Sequence, residues 1–360
     1  MRKYYIDNIK WMTVVLVVIF HVFYYFNSND VAGGVGYFYA HQPWDIIQYF
    51  LYPWFMALLF VVAGMNAQSA LGKYPKEFVR LRTRKLLVPS TIGLFVFQWI
   101  QGYLNILSGG GFSDIETLPI FIKYIIMVLG GIGVLWFLQL LWLYSMLLLL
   151  VIKIEKGRLH KLCGKMPPWM ILLLGIGFWL SAQVLNAPII TVYKFGIYGF
   201  SFFLGYFVFS HERIIVSLSA WAIPLMLSSA MLGISFSVIY FDKNYAQMPV
   251  FGSPLAMAFA YTSILAVLGA MKRWGDKKNG FTMWMSKKSW GLYIFHYLGI
   301  SVVGYLLYIY RPLPIWAIYI VTDLSAFLIG FVLYEIMSRI PIVRWAVLGL
   351  KKEELCSKTT

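Results

Sequence analysis

The chain has 360 residues, 61% of them hydrophobic and only 12% charged, with a formal net charge of +16. A soluble globular domain is about 25% charged, so this composition excludes one and reads as a polytopic membrane protein. A basic balance of this size fits nucleic acid or an anionic surface only if the cations cluster on one face, so their positions matter more than their sum.

Apolar stretches of about 20 residues predict ten spans in chain order, roughly 9–27, 44–70, 86–107, 132–153, 168–186, 193–210, 217–240, 249–271, 289–310 and 314–338. The first follows a basic start, but no small-residue cleavage site comes after Phe26, so it is expected to stay as a transmembrane helix. Between the third and fourth spans, Gly109-Gly110-Gly111, Asp114 and Glu116 precede an apolar piece at 118–129 that is too short to span and is expected to be interfacial or re-entrant.

The Lys and Arg residues test this count independently, because cytoplasmic loops are enriched in them. With the N-terminus inside, 26 of the 30 fall in inner segments; only Lys123, Lys194, Lys243 and Arg311 fall outside. The predicted fold is therefore all-α, a multi-pass protein of the plasma membrane with about ten transmembrane helices and both termini cytoplasmic. A single transmembrane domain covers 1–338 and a short basic cytoplasmic tail covers 339–360. The basic balance needs no nucleic acid. Cys163 and Cys356 both fall in inner segments and are expected as free thiols.

The first span opens as YIDNIKWMTVVLVVIFH. Eleven steps of about 100° bring Lys10 and His21 to within about 20° of each other, with Asp7 beside Lys10 at i, i+3. Lys10 sits at the cytoplasmic surface and His21 roughly 16 Å deeper. An ionisable group at that depth is costly and marks a cavity or pathway. In the ninth span Ser289, Tyr293 and His296 share a stripe at i, i+4 and i+7, and Asp323 is the carboxylate deep in the tenth. Asp323 needs a partner: it could orient His21 or His296, or bond a neighbouring Tyr or Ser. At the outer mouth, His41, Trp44 and Asp45 could line an acceptor groove, although aromatic residues also belt ordinary membrane interfaces. His160 and His211 read as solvated loop residues. No metal site, Walker loop or Cys nucleophile is apparent.

The opening run resembles the start of the membrane acyltransferase 3 family, whose first helix has the form aromatic-x-D-x-x-R followed by ten residues and a His. PWFMALLFVVAGMNAQSALGK (53–73), RTRKLLVPSTIG (82–93), LWFLQLLWLYSMLLL (135–149) and SWGLYIFHYLG (289–299) resemble further stretches of the family in the same order. Lys10 and Lys85 stand where the family usually has Arg. The resemblance implies transfer of an acyl group, acetyl expected before succinyl, from cytoplasmic acyl-CoA to a hydroxyl of an extracytoplasmic glycan or related envelope molecule. Acyl-CoA would be a co-substrate, with no permanently bound cofactor. Neutral histidine is the usual side chain for taking the hydroxyl proton, and an apolar span disfavours the imidazolium. His21 is thus the expected general base, with Asp7 and Lys10 beside it as catalytic candidates. Lys10, Arg80, Arg82, Arg84 and Lys85 are candidates for the coenzyme A phosphates, and His296, Asp323, Tyr293, His41, Asp45 and Trp44 for the acceptor. The alternative is a proton-coupled transporter or flippase with His21, Asp323 and His296 as a relay.

Overall fold

Lipid offers no hydrogen bonds, so a chain this apolar must pair its backbone groups within each segment, which selects helices. The computed structural model describes residues 3–28, 35–36, 38–39, 42–71, 75–187 and 192–351 and is predominantly helical, with no strand among the described residues. The principal helices are α1 (Tyr4–Tyr25), α2 (Phe55–Leu71), α3 (Trp99–Ser108), α4 (Ile120–Gly130), α5 (Trp136–Glu155), α6 (Met170–Ala182) and α7 (Phe195–Leu204). They continue with α8 (Glu212–Ala220), α9 (Ala222–Tyr240), α10 (Pro254–Trp274), α11 (Gly280–Gly299), α12 (Ile315–Arg339) and α13 (Pro341–Leu348). π-Helical turns interrupt the pattern at Thr83–Leu87, Leu94–Gln98, Gly205–Phe209 and Ile300–Gly304.

Among the described residues, seven apolar helical stretches are long enough to cross a membrane: Tyr4–Tyr25, Pro43–Leu71, Gly133–Glu155, Ala222–Tyr240, Pro254–Trp274, Gly280–Tyr310 and Ile315–Arg339. They coincide with seven of the ten predicted spans and make the chain a multi-pass membrane protein. The other three predicted spans are shorter or broken helices. The third is interrupted at Thr91, just after Pro89, and resumes through the π turn into α3. The fifth starts only after Pro167-Pro168 and holds 13 residues as α6; the sixth is Phe195–Phe209. The piece predicted as too short to span is α4, with 11 residues.

Two compact units share the chain. The first comprises Met1–Leu16, Ile46–Val79 and Leu143–Ser286. Here α2 and α7 pack backbone to backbone: a Cβ on Gly64 would lie 2.0 Å from the carbonyl oxygen of Phe202, so no larger residue fits. The start of α1 is tied down by its first unit partners. Asp276 accepts from the Tyr5 backbone N–H at 3.1 Å, and the Asn8 amide donates to the carbonyls of Gly275 and Lys277 at 2.7 and 2.9 Å. These are hydrogen bonds that a bare helix N-terminus would lack. Nearby, Glu212 pairs with Lys272 at 2.7 Å and Lys3 at 2.9 Å. Burial works to raise the Glu212 carboxyl, and the hydrogen bonds from both lysines outweigh it, leaving it below its ordinary value. Lys194 is buried, its ammonium 2.7 Å from the Ala246 carbonyl and 4.3 Å over the Phe251 ring. An apolar groove of about 370 Å³ is lined by Phe50, Trp54, Met226, Phe259 and Ala266 and contains none of the predicted site residues.

His160 and His211, expected as solvated, instead pack together in this unit with ring centroids 4.2 Å apart. The His211 Nε2–H donates to the His160 carbonyl at 2.9 Å, and His160 Nε2 lies 3.2 Å from Ser210 Oγ. Burial first, and then the neighbouring His211 charge, lower His160 below its ordinary value, against a smaller opposing pull from Glu155. The unfolded chain therefore binds this proton at higher pH than the folded one. The stability His160 contributes is present above its unfolded value of about 6.5 and is lost as pH falls through the lowered folded value. The thermal midpoint of the purified protein should accordingly drop from about pH 7 toward 5, and His160→Gln should flatten that slope. Identical slopes for the two proteins would remove His160 as the cause.

The second unit comprises Val17–Asp45, Arg80–Trp142 and Lys287–Thr360. α3 and α4 meet at Gly102, where a Cβ would lie 1.7 Å from the Met127 carbonyl oxygen. Part of the stretch predicted as a short basic tail forms the helix α13, which packs on the Val88–Ser90 turn and on Leu94–Gln98. Its last carbonyl, that of Leu348, accepts from the Trp290 indole N–H at 3.1 Å. Cys163 is free and half-buried, while Cys356 lies outside the described residues.

Candidate functional site

Within the second unit, the C-terminal part of α1 presents His21 to His296 on α11. The sequence separates them by 275 positions, yet His296 Nε2 lies 3.2 Å from His21 Nδ1. The stripe predicted on α11 is buried as a whole, with Ser289, Tyr293 and His296 at 7%, 3% and 0% exposure. This orientation leaves His296 no water as a partner and makes its hydrogen bonds easy to account for.

His296 Nδ1 sits 3.0 Å from the Leu292 carbonyl and 2.9 Å from that of Tyr293. Carbonyl oxygens only accept, so Nδ1 carries the hydrogen and Nε2 of a neutral ring holds a lone pair. That lone pair faces His21 Nδ1, which is also 2.8 Å from the Val17 carbonyl. Both partners of His21 Nδ1 are acceptors, so its N–H is shared between them. The hydrogen of neutral His21 is thereby held on Nδ1, and Nε2 carries an uncommitted lone pair. The rings of Tyr297 and Tyr24 stand edge-on to His21 at 5.2 and 6.0 Å, and the His21 side chain keeps partial exposure.

The other predicted residues divide by unit. Asp7 and Lys10 belong to the first, where they pair at 3.3 Å. Arg80, Arg82, Arg84 and Lys85 belong to the second. Arg80 is exposed near the end of the Pro75–Arg82 helix; Arg82, Arg84 and Lys85 are half-buried, the last two in the π turn Thr83–Leu87. Burial lowers Arg82 to about 10, which leaves it cationic at neutral pH. The turn is braced by Trp142, whose indole N–H donates to Thr83 Oγ1 at 3.1 Å.

Tyr293 commits its hydroxyl to the Val134 carbonyl, so it positions α11 against the chain entering α5. Asp323 is half-buried, and its Oδ1 is shielded with no hydrogen-bond partner among the described residues. It bonds neither histidine; the side-chain partner of His21 Nδ1 is His296. Asp45 is buried and accepts from Ser28 N–H at 3.0 Å and Ser28 Oγ at 2.7 Å, with the Gln42 amide at 3.3 Å. Its carboxylate ties the loop after α1. Trp44 joins an aromatic group with Tyr319 at 6.1 Å, itself 5.1 Å from both Phe23 and Phe26. His41 lies outside the described residues. No group of three potential metal ligands occurs among the described residues.

A set of polar side chains passed over in the sequence also lies in this unit: Gln98, Gln101, Asn105 and Ser108 on or entering α3. Their spacing of three and four residues within an otherwise apolar stretch was the available signal.

Residues 3–335 match the family model described as the acyltransferase domain of the acyltransferase 3 family. The chain belongs to that family and is a membrane acyltransferase. No curated protein and no solved structure matches it.

Proposed function

We propose that the protein transfers an acyl group, acetyl before succinyl, from cytoplasmic acyl-CoA to a hydroxyl of an extracytoplasmic glycan or related envelope molecule, with His21 as general base. One observation carries this reading: the hydrogen bonds of His21 and His296 leave the lone pair of a neutral imidazole on His21 Nε2. In the reaction, His21 Nε2 takes the acceptor's O–H proton while that oxygen attacks the thioester carbonyl carbon. The C–S bond breaks, and the thiolate receives the proton back from His21, so the histidine ends neutral. Arg80, Arg82, Arg84 and Lys85 would meet the phosphates of coenzyme A. Family membership supports this reading over a transporter, whose defining step would be movement of solute with no acyl bond made.

Mass spectrometry of envelope glycans and polar lipids tests it. Cells expressing the parent chain should carry an acyl-sized mass increment that is missing from cells expressing no copy. Identical spectra, with the protein confirmed in the membrane, would sink the proposal; an increment would identify both the acyl group and its acceptor.

A further inference from the structure

The chain between α5 and α6 carries an exposed surface that the transfer chemistry leaves unused. α5 ends at Glu155, and Lys156 and Gly157 follow with φ of 53° and 77°, two consecutive left-handed residues that stop the helix. A short helix, Arg158–Lys165, begins there. Glu155 caps its start, with Oε2 accepting from the Leu159 N–H at 2.8 Å. Pro167 and Pro168 then separate it from α6.

At about 100° per residue this helix presents three faces. His160, Cys163 and Gly164 turn to the protein, where His211 comes so close that a Cβ on Gly164 would lie 2.8 Å from its ring. Leu159 and Leu162, one turn apart, are 43% and 68% exposed, while Ile154 at the end of α5 and Trp169 before α6 are 80% and 63% exposed. Arg158, Lys161 and Lys165 form the third face, all exposed, with Lys153 and Lys156 exposed just upstream. Residues 153–165 thus hold five cations against one carboxylate, Glu155, which is committed to the helix cap. No ion pair joins any of the five to a carboxylate among the described residues.

Exposed apolar side chains beside a row of unpaired cations are satisfied together at the boundary of a lipid bilayer. The segment lies at such a boundary because it joins the end of α5, in a stretch long and apolar enough to cross a membrane, to the apolar helix α6. We infer that Arg158–Lys165 is an interfacial helix that recruits anionic phospholipid. Leu159, Leu162, Ile154 and Trp169 enter the edge of the hydrocarbon, and Arg158, Lys161 and Lys165 hold phosphate headgroups. A soluble acidic partner would match the cations but leave the leucine flank and Ile154 in water. Zwitterionic lipid would cover the leucines and leave the positive charge uncompensated. α5 ends at the membrane face predicted as cytoplasmic, the leaflet whose anionic lipids give it a negative surface potential.

The test uses the full chain in nanodiscs, with Cys163→Ser and Cys356→Ser removing the native thiols and Leu162→Cys carrying an environment-sensitive dye. Leu159→Cys is the second position if the first disturbs folding. In phosphatidylcholine discs, a small share of acyl-brominated phosphatidylglycerol should quench the dye about fivefold more strongly than the same share of acyl-brominated phosphatidylcholine, the enrichment that one lysine near an anionic surface supports. Arg158→Gln, Lys161→Gln and Lys165→Gln together should bring that ratio to about one, and high salt should lower it. Quenching by iodide but by neither brominated lipid overturns the inference and leaves the face to a soluble partner or a second copy. Equal quenching by the two lipids with the cations intact overturns the choice of anionic lipid. A ratio that survives the triple substitution overturns the role of these three cations.

Discussion

His21→Ala lowers the rate of acyl transfer by roughly 10²–10⁴-fold, the range over which a positioned general base contributes, and leaves donor binding intact. The separation of the two effects follows from geometry. His21 Nε2 is the only ring nitrogen of the pair that carries a lone pair without a partner among the described residues, because His296 Nε2 is turned onto His21 and His296 Nδ1 onto two carbonyls. His296 cannot substitute as base: at 0% exposure it has no route to an acceptor hydroxyl. The half-buried cations of the Thr83–Leu87 turn belong to other helices and are untouched by the change. The measurement is single-turnover transfer by parent and variant at matched membrane levels, together with the thermal shift caused by acetyl-CoA. A variant that transfers at the parental rate would exclude His21 as base, and one that loses the thermal shift would place it in donor binding instead.

Part of this site could be read in the sequence, and the residues show where that stopped. A histidine deep in an apolar helix is conspicuous whatever surrounds it, because membrane solvation makes such a group costly. Ser289, Tyr293 and His296 were legible for a different reason, since a period of 3.6 marks one helix face. That this face meets α1 at His21 depends on a tertiary contact across 275 positions, which no local pattern encodes. Asp45 looked like a mouth residue, yet its carboxylate is consumed by Ser28 and Gln42, partners whose relevance appears only when the loop closes. The polar side chains of α3 were legible and missed: charges drew attention, while Gln101 and Asn105 are uncharged. Hydropathy found the seven long apolar helices but could not see the break at Thr91 or the π turns around it, because a window average is blind to backbone hydrogen-bond register.

His296→Phe should lower transfer by about 10–100-fold, as losing a partner that orients a functional imidazole typically does. Two effects combine. The neutral His21 Nδ1–H bond to His296 Nε2 is worth about 1 kcal/mol net; once His21 takes the substrate proton, the bond becomes charge-assisted and is worth roughly 1.5–3 kcal/mol. The difference of about 1 kcal/mol stabilises the transition state over the ground state, which accounts for somewhat less than tenfold in rate. The remainder is orientation, since without His296 the Val17 carbonyl alone holds the ring and its tautomer. His296→Gln separates this role from packing: its side-chain oxygen can accept from His21 Nδ1–H and should restore part of the rate, although phenylalanine fills the space at least as well. Parallel kcat and KM measurements on the two variants decide the matter. Recovery by glutamine in kcat, with KM for acetyl-CoA unchanged, is the expected result. Equal rates for phenylalanine and the parent would show that His296 merely packs, and full activity in neither variant with collapsed thermal stability in both would assign it to the fold.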